Sequence, residues 1–214
     1  MSILHGRIMV FAKAPIPGEV KTRLIPALGP VHAAELHKCL TTRIVATTVQ
    51  SGLYTVDLWC SPSSEDTYFQ WLQQRYSLSL HRQVGPGLGD RMAFAFQQTL
   101  KRSPLVVIVG TDCPVLTADV LNKAFEKLTQ GEDAVIAPAE DGGYVLLGLR
   151  RYSPYLFENI AWGTSDVMNQ TKQRLIDMQW RWSELETFWD VDRPEDLKRL
   201  GEISAFVQSV DSYE

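Results

Sequence analysis

The sequence predicts an α/β three-layer sandwich built on a mixed, mostly parallel sheet. Short apolar runs of the kind that form buried strands alternate with longer segments of helical periodicity. Two of these runs, 134–138 and 144–149, are separated only by a glycine-containing turn, which indicates a hairpin and an antiparallel part of the sheet. The chain has 214 residues, of which 45% are hydrophobic, so we expect one core and a single domain over residues 1–214.

The predicted strands are the short apolar runs, and the predicted helices are the segments between them. The clearest helix is residues 65–76, where Tyr68, Leu72 and Tyr76 recur every four residues behind a Ser-Pro-Ser-Ser turn. Thr117 is the predicted cap of a later helix. We predict strands at residues 7–12, 54–60, 78–82, 105–109, 134–138, 144–149 and 188–191. We predict helices at residues 31–50, 65–76, 90–101, 117–129, 164–178 and from about 194.

Composition excludes several classes of protein. The formal net charge of -4 gives no electrostatic reason to expect nucleic-acid binding. No apolar stretch approaches the roughly 18 residues that a membrane-spanning helix needs. Cys39, Cys60 and Cys113 are far apart and odd in number, so no disulfide framework is expected and a reducing, cytoplasmic location fits best. Scattered histidines argue against a zinc site, and the lack of a Walker loop or a Gly-x-Ser-x-Gly turn argues against P-loop enzymes and serine hydrolases.

Two aspartates follow short apolar runs that are far apart in the chain. Asp112 comes after the predicted strand 105–109, and Asp192 follows the run 188–191, just before a proline that can open a helix. Ligands of open parallel sheets bind at the carboxyl ends of the strands, so we expect both side chains in one crevice. There they could hold Mg²⁺ or Mn²⁺, with Asp190 on the same strand face as Asp192. The simpler alternatives are a turn at Asp112 and a helix cap at Asp192.

A basic segment follows the first predicted strand. It contains Lys13, Lys21 and Arg23, together with prolines and a glycine that would hold a loop close to a ligand. Ammonium and guanidinium groups suit a di- or triphosphate. A solvated basic loop is the alternative, but the position after the first strand of an α/β pattern favours phosphate binding.

The glycine-rich segment 85–91 lacks the spacing of a dinucleotide-binding fingerprint. Gly87 and Gly89 could still let the backbone pass close to a nucleoside. The helix that we predict to begin at Asp90 could favour an anion at its N-terminus. A flexible connection is an equally good interpretation of this segment.

The predicted hairpin turn contains Asp141, Gly142 and Gly143 and leads into Tyr144. As a turn it needs no further function. If it lies above the sheet, however, its glycines could admit a second substrate, and Asp141 or Glu140 could act as a base. These turn residues and Tyr144 would then shape the site of an acceptor.

A second candidate for the acceptor site is the segment that contains Trp162, Gly163 and Thr164. Its simplest interpretation is the start of a helix with Thr164 or Ser165 as the cap. Stacking of Trp162 on a sugar is the functional alternative.

Six segments together resemble one known family. The resemblance rests on residues 11–15, 21–24, 110–114, 141–149, 162–165 and 190–197. Over about its first 200 residues, the chain resembles a bacterial family labelled arsenosugar-biosynthesis glycosyltransferase-like, within the nucleotide-diphospho-sugar transferase (GT-A) superfamily. It is also similar to 2-phospholactate guanylyltransferases and, more distantly, to molybdenum-cofactor guanylyltransferases. It departs from sugar nucleotidyltransferases in lacking their glycine-rich first loop, and it has no Asp-x-Asp at the position of Asp112.

The resemblance implies a GT-A fold with Asp112 and Asp192 as metal ligands and with Lys13, Lys21 and Arg23 on the nucleotide phosphates. We therefore expect a transferase that depends on Mg²⁺ or Mn²⁺ and moves a sugar from a nucleotide sugar to a small-molecule acceptor. The alternative is a guanylyl- or cytidylyltransferase that joins a nucleoside triphosphate to a phosphorylated small molecule and releases pyrophosphate. A nucleotide-binding module without turnover is the second alternative.

The predicted catalytic residues are Lys21, Asp112, Asp141 and Asp192. The expected partners are a nucleotide or nucleotide sugar and a small acceptor. Neither nucleic-acid binding nor a membrane span is expected, and a homodimer is left open.

Overall fold

The computed structural model describes residues 6–52 and 54–202 of the protein. Its strands are β1 (Gly6–Lys13), β2 (Thr55–Ser61), β3 (Ser79–Arg82), β4 (Leu105–Val109), β5 (Ala134–Pro138), β6 (Tyr144–Leu149) and β7 (Trp182–Glu184). Its helices are α1 (Ile25–Gln50), α2 (Thr67–Tyr76), α3 (Leu88–Thr99), α4 (Ala118–Thr129), α5 (Val167–Asp177) and α6 (Asp196–Gly201). Short 3₁₀ turns lie at Thr22–Leu24 and Pro154–Leu156.

The strands form one sheet in the order β3-β2-β1-β4-β6-β5-β7. The pairs β1–β2, β1–β4, β2–β3 and β5–β7 are parallel. Strand β6 is antiparallel to both of its neighbours, β4 and β5. The predicted mixed, mostly parallel sheet and the predicted β5–β6 hairpin are therefore confirmed.

Helices cover both faces of this sheet because successive strand residues point to opposite faces. On β1, Ile8 and Val10 belong to the apolar cluster that includes residues of α1, α2 and α4. Met9, between them, belongs to a second cluster that includes residues of α3 and α5. The structure is thus the predicted α/β/α sandwich of three layers.

Several helices begin at other residues than predicted. Helix α1 begins at Ile25 and bends at Gly29 (φ 77), so the predicted helix 31–50 is the part that follows this bend. Helix α3 begins at Leu88, two residues early, and α5 begins at Val167, three residues late. None of the helices within residues 6–52 and 54–202 is long and apolar enough to cross a membrane.

The strand predicted at residues 188–191 is wrong. This segment makes only one isolated bridge to the sheet, between Phe188 and Ala139. The sheet instead takes β7, a short strand that the apolar pattern did not predict. Trp189 and Val191 are buried in a separate small cluster with Leu24 of the first 3₁₀ turn, so their apolar character reflects packing outside the sheet. Asp192 therefore follows a buried coil segment rather than a strand.

Candidate functional site

A cleft of about 560 Å³ lies beyond the carboxyl ends of β1 and β4. Parallel strands deliver their following loops to the same edge of a sheet, which explains why the segments after these two strands meet there. The cleft has a charged end and an apolar end. The predicted site residues that line its charged end are Lys13, Lys21, Arg23, Asp112, Asp141, Asp190 and Asp192.

Lys21 lies at the base of the charged end. Its backbone is left-handed (φ 48, ψ 39), and its side chain is only 3% exposed. The ammonium nitrogen lies 2.6 Å from Oδ1 of Asp112 and donates a hydrogen bond to the carbonyl oxygen of Val191. The Val191 N–H donates in turn to the Asp112 carbonyl oxygen over 2.9 Å. One buried cation thus joins the basic segment, the turn after β4 and a segment 170 residues away.

The two oxygens of the Asp112 carboxyl group have different surroundings. Oδ1 is buried and contacts Lys21 as an ion pair without accepting an aligned hydrogen bond. The side chain as a whole is 48% exposed, so Oδ2 is the oxygen left accessible from the cleft. Although desolvation favours the neutral carboxyl, the Lys21 ammonium holds the pKa of Asp112 below its ordinary value. Asp112 therefore presents a charged, pre-positioned oxygen to the cleft.

His37 is a cleft residue that the sequence analysis did not identify. Its Nε2 donates to the Lys13 carbonyl oxygen over 3.0 Å, and its Nδ1 lies 3.9 Å from Oδ1 of Asp112. Burial lowers the pKa of His37 even though Asp112 opposes that shift. His37 is therefore neutral at pH 7 and lies against the Asp112 side chain from α1 without donating to it. The position of His37 on an apolar face of the predicted helix gave no indication that it would lie in the cleft.

Asp190 is half-buried on the wall of the cleft. Burial raises the pKa of Asp190 to about 6, and the negative charges of Asp141 and Asp112 add to this effect. A carboxyl group with such a pKa can hold or release a proton near neutral pH. Of the predicted carboxylates, Asp190 is the one whose surroundings suit proton transfer.

The rim of the cleft carries exposed charges. The Arg23 guanidinium donates to Oδ2 of Asp192, and both side chains are partly exposed. Lys13, at the end of β1, is exposed as well. Asp192 is not the cap that the simpler interpretation suggested, because α6 begins at Asp196 and no side chain caps it. Its own carboxylate stays available at the rim, paired with Arg23.

The hairpin turn places one carboxylate at the cleft and uses its glycine for packing. Asp141 lines the cleft, and its Oδ1 accepts a hydrogen bond from the Gly143 N–H over 2.8 Å. Gly142 has a φ of +91°, and a Cβ at this position would lie 2.2 Å from the Ser165 carbonyl oxygen. Gly142, predicted as an acceptor-binding residue, does not line the cleft. A glycine is required at position 142 because the Ser165 backbone leaves no room for a side chain.

Only one residue of the glycine-rich segment 85–91 lines the cleft. Gly87, Gly89 and Asp90 do not line the cleft, although Leu88 between them does. The Asp90 carboxylate accepts from the Gly87 N–H over 3.1 Å at the start of α3. A Cβ on Gly89 would lie 2.3 Å from Nε1 of Trp162. Gly87 and Asp90 therefore shape the start of α3, and Gly89 leaves room for the Trp162 indole. Their role as nucleotide contacts stays a prediction.

The apolar end of the cleft is formed by the predicted acceptor residues. Tyr144, Trp162, Gly163 and Thr164 line it together with Gly143. The Tyr144 and Trp162 rings are nearly perpendicular, with centroids 6.3 Å apart. Thr164 does not cap α5, since the cap position is Asp166. The Thr164 hydroxyl donates to the carbonyl oxygen of residue 161 and accepts from the Asp166 N–H in the preceding turn. The Tyr144 and Trp162 rings give this part of the lining an aromatic surface.

The carboxylates fit a divalent cation that is held jointly with a ligand. Within residues 6–52 and 54–202, no group of three or more His, Cys, Asp or Glu side chains is arranged to hold a metal ion alone. Mg²⁺ is commonly bound by one or two carboxylates together with substrate phosphates and water. Asp112, whose Oδ2 is accessible from the cleft, and the cleft residues Asp190 and Asp192 supply oxygen ligands of that kind.

Solved structures share this fold. A candidate nucleotide-diphospho-sugar transferase from Desulfovibrio desulfuricans G20 is 28% identical, with a TM-score of 0.84 over 99% of this chain and 96% of that chain. CMP:2-keto-3-deoxy-manno-octonic acid synthetase in complex with CTP is 10% identical, with a TM-score of 0.61 over 94% of this chain and 98% of that chain. Glucosyl-3-phosphoglycerate synthase from Mycobacterium tuberculosis, in complex with Mn²⁺, UDP and glucosyl-3-phosphoglycerate, is 11% identical, with a TM-score of 0.58 over 97% and 79% of the two chains.

The fold is therefore that of nucleotide-diphospho-sugar transferases and nucleotidyltransferases, and these comparisons support the predicted class, a nucleotide-dependent transferase. The chain belongs to the bacterial family described as "Uncharacterized protein conserved in bacteria (DUF2064)", whose model matches residues 44–164. No curated protein matches the sequence.

Proposed function

We propose that this protein is a metal-dependent glycosyltransferase that moves a sugar from a nucleotide sugar to a small-molecule acceptor. One observation carries the proposal: Asp112 presents a charged oxygen to the cleft while a buried lysine holds the other oxygen. A carboxylate fixed in this way, in the same cleft as Asp192 and the exposed Lys13 and Arg23, is suited to a metal diphosphate. The resemblance to the arsenosugar-biosynthesis glycosyltransferase-like family and the likeness to the Desulfovibrio protein support sugar transfer.

Each residue has a part in this proposal. Asp112 and Asp192 would hold Mg²⁺ or Mn²⁺, which when bound neutralises charge on the donor diphosphate. Lys13 and Arg23 would contact the phosphates, because their side chains are exposed at the rim. Lys21 would act as a positioning residue, since its ammonium is buried against Asp112 rather than open to a ligand. This role replaces the direct phosphate contact predicted from the sequence.

In the proposed reaction an acceptor hydroxyl attacks the anomeric carbon of the donor sugar. The new bond joins the acceptor oxygen to that carbon, and the bond from the carbon to the diphosphate oxygen breaks. The nucleoside diphosphate leaves with the bonding electrons, and the cations of the charged end stabilise this charge. Asp190 is best suited to accept the hydroxyl proton, because its surroundings raise its pKa to about 6. The carboxylate of Asp141 is instead engaged by the Gly143 N–H.

Nucleotidyl transfer is the second candidate, because the same fold occurs in the synthetase that was solved with CTP. In that reaction the acceptor phosphate attacks the α-phosphorus of a nucleoside triphosphate and pyrophosphate leaves. The products separate the two candidates. Pyrophosphate released from a triphosphate would support nucleotidyl transfer, whereas a nucleoside diphosphate released from a nucleotide sugar would support glycosyl transfer.

The test of the proposal is nucleotide and nucleotide-sugar binding with and without Mn²⁺, measured by calorimetry for the wild type, Asp112→Asn and Asp119→Asn. Asp119 is exposed in the first turn of α4 and serves as a matched control. We expect Mn²⁺ to strengthen binding to the wild type and the control, and to have little effect in Asp112→Asn while the fold survives. Metal-dependent binding that is unchanged in Asp112→Asn would refute the assigned metal site. Metal-dependent binding without turnover of any donor would favour a binding module.

We further propose a single domain over residues 1–214, acting in the cytoplasm. The continuous sheet through the described residues supports one domain. The three free cysteines, two of them buried, support a reducing compartment.

A further inference from the structure

A second groove, of about 470 Å³, lies beside α3 near the edge strand β3. Phe11 and Gln83 separate it from the transferase cleft, which both of them line. The Phe11 ring lies 6.1 Å from the ring of Trp59 in the groove, and the Gln83 amide donates to the Trp59 carbonyl oxygen over 2.8 Å. The two cavities are therefore adjacent but distinct.

Every charged side chain that lines this groove is basic, in a protein whose formal net charge is -4. These side chains belong to Arg82, Lys101 and Arg102, and all three residues are exposed. Within residues 6–52 and 54–202, neither Arg82 nor Lys101 forms an ion pair with a carboxylate. Two of the three groove cations, Arg82 and Lys101, are thus without an acidic partner among the described residues.

The one carboxylate below the groove already has a partner. Asp57 is fully buried, and both of its oxygens lie 3.0 Å from Nη1 of Arg7. Arg102 is farther away, at 3.9 Å, and His81 lies at 3.6 Å. The need to neutralise Asp57 therefore does not explain why Arg82 and Lys101 line the groove. Lys101 and Arg102 also follow the C-terminus of α3, where cations are favourable, but Arg82 on β3 has no such explanation.

A buried donor at the groove has no acceptor. Trp59 lines the groove and is 2% exposed, yet its indole Nε1 has no hydrogen-bond partner. An unsatisfied buried donor is costly, so most such groups in folded proteins have a partner. The His81 ring stacks on the indole with centroids 4.9 Å apart, and its Nε2 faces Asp57 at 3.6 Å. An anion in the groove would supply the acceptor that the Trp59 N–H lacks.

We propose that this groove binds a small phosphorylated metabolite, separately from the transferase cleft. Its phosphate group pairs with Arg82 and Lys101, and its remaining body lies against the half-buried ring of Phe94. The volume is that of a small-molecule site. The phosphate is the recognised group, whether it is inorganic phosphate or the ester of a sugar or nucleoside.

The test is titration with inorganic phosphate, and in separate arms with a sugar phosphate and a nucleoside monophosphate, at constant ionic strength by calorimetry. The host is a Lys13→Gln, Arg23→Gln variant, so that phosphate binding in the transferase cleft is weakened. The groove variant adds Arg82→Gln and Lys101→Gln to this host, and both changes leave the partners of Asp57 in place. The control adds Lys127→Gln and Arg150→Gln instead, which remove the same charge from exposed positions elsewhere.

We expect the host and the control to bind phosphate, and the groove variant to bind about tenfold more weakly or not at all. A Trp59→Phe variant keeps the ring but removes the N–H, and should weaken binding severalfold if it stays folded. Equal affinity in the groove and control variants would overturn the proposal, and so would no binding to the host. If an ester binds more tightly than inorganic phosphate, it identifies the source of the phosphate group.

Discussion

Replacing Lys21 by methionine separates the roles of the cations in the cleft. Methionine keeps the length of the side chain but removes the ammonium that contacts Asp112 and Val191. We expect the variant to bind metal-free nucleotide as the wild type does, because the ammonium is buried away from the ligand. We expect the gain in affinity from Mn²⁺ to be smaller at pH 7, because the Asp112 carboxyl group is no longer held in place.

The size of the effect on stability follows from the contact itself. Unit charges 2.6 Å apart attract by about 6 kcal/mol at an effective dielectric constant of about 20. The Asp112 side chain is 48% exposed, so desolvation and solvent screening remove much of this attraction. We expect the free energy of unfolding to fall by about 1–2 kcal/mol in Lys21→Met, measured by urea denaturation at pH 7.

A pH dependence should accompany this change. In the wild type Lys21 offsets the desolvation of Asp112, so the pKa of that carboxyl is low and the group is charged throughout the neutral range. Without Lys21 desolvation is opposed less, so the pKa of Asp112 rises and metal-dependent binding should require a higher pH. Calorimetric titrations between about pH 5 and pH 8 would measure this displacement.

Arg23→Gln is the comparison for Lys21→Met, because the Arg23 side chain is exposed at the rim. It should weaken binding of metal-free nucleotide. If Lys21→Met weakened metal-free binding as much as Arg23→Gln does, the Lys21 ammonium would contact phosphate directly. If Lys21→Met kept the full effect of Mn²⁺, the positioning role would be refuted.

Two further predictions concern stability. Arg7→Met should lower the free energy of unfolding by about 3 kcal/mol, because it leaves the buried Asp57 carboxylate poorly paired. Desolvation opposes ionisation of Asp57, but its cationic neighbours hold the pKa below the ordinary 3.8, so the Arg7 contribution is present above about pH 4. It is lost as the pH falls through the folded-state pKa, and acid unfolding curves of variant and wild type should therefore converge; a constant difference would contradict this. Gly142→Ala should destabilise more than Gly163→Ala in thermal unfolding, by about 2 kcal/mol. Both glycines have positive φ, but only the Cβ at Gly142 meets the Ser165 backbone, so equal losses would show that this contact is unimportant.

The fold was largely predictable because local patterns carry it. The continuous apolar run 105–109 became the fully buried β4, and the glycine turn between 134–138 and 144–149 became the β5–β6 hairpin. The run 188–191 shows the limit of this reasoning. A buried segment is apolar whether it joins a sheet or packs as coil, so the apolar pattern alone did not distinguish a strand from a buried coil.

The candidate site was predictable where it depends on position along a strand. Asp112 lies at the carboxyl end of β4 and lines the cleft as expected. The roles of glycines were harder to predict, since Gly89 is explained by an indole from residue 162 and Gly142 by the backbone of Ser165. A glycine in the sequence shows that a side chain is absent, but not which neighbour requires its absence.

The sequence by itself determined the alternation of strands and helices, the hairpin, and the kinds of charged groups that gather at one edge of the sheet. Only the tertiary structure decided which charge faces a ligand and which is buried. Lys21 and Val191 are 170 residues apart, and their contact places the ammonium beneath Asp112. Local sequence patterns depend on near neighbours, whereas burial of a charge depends on segments that meet only when the chain has folded.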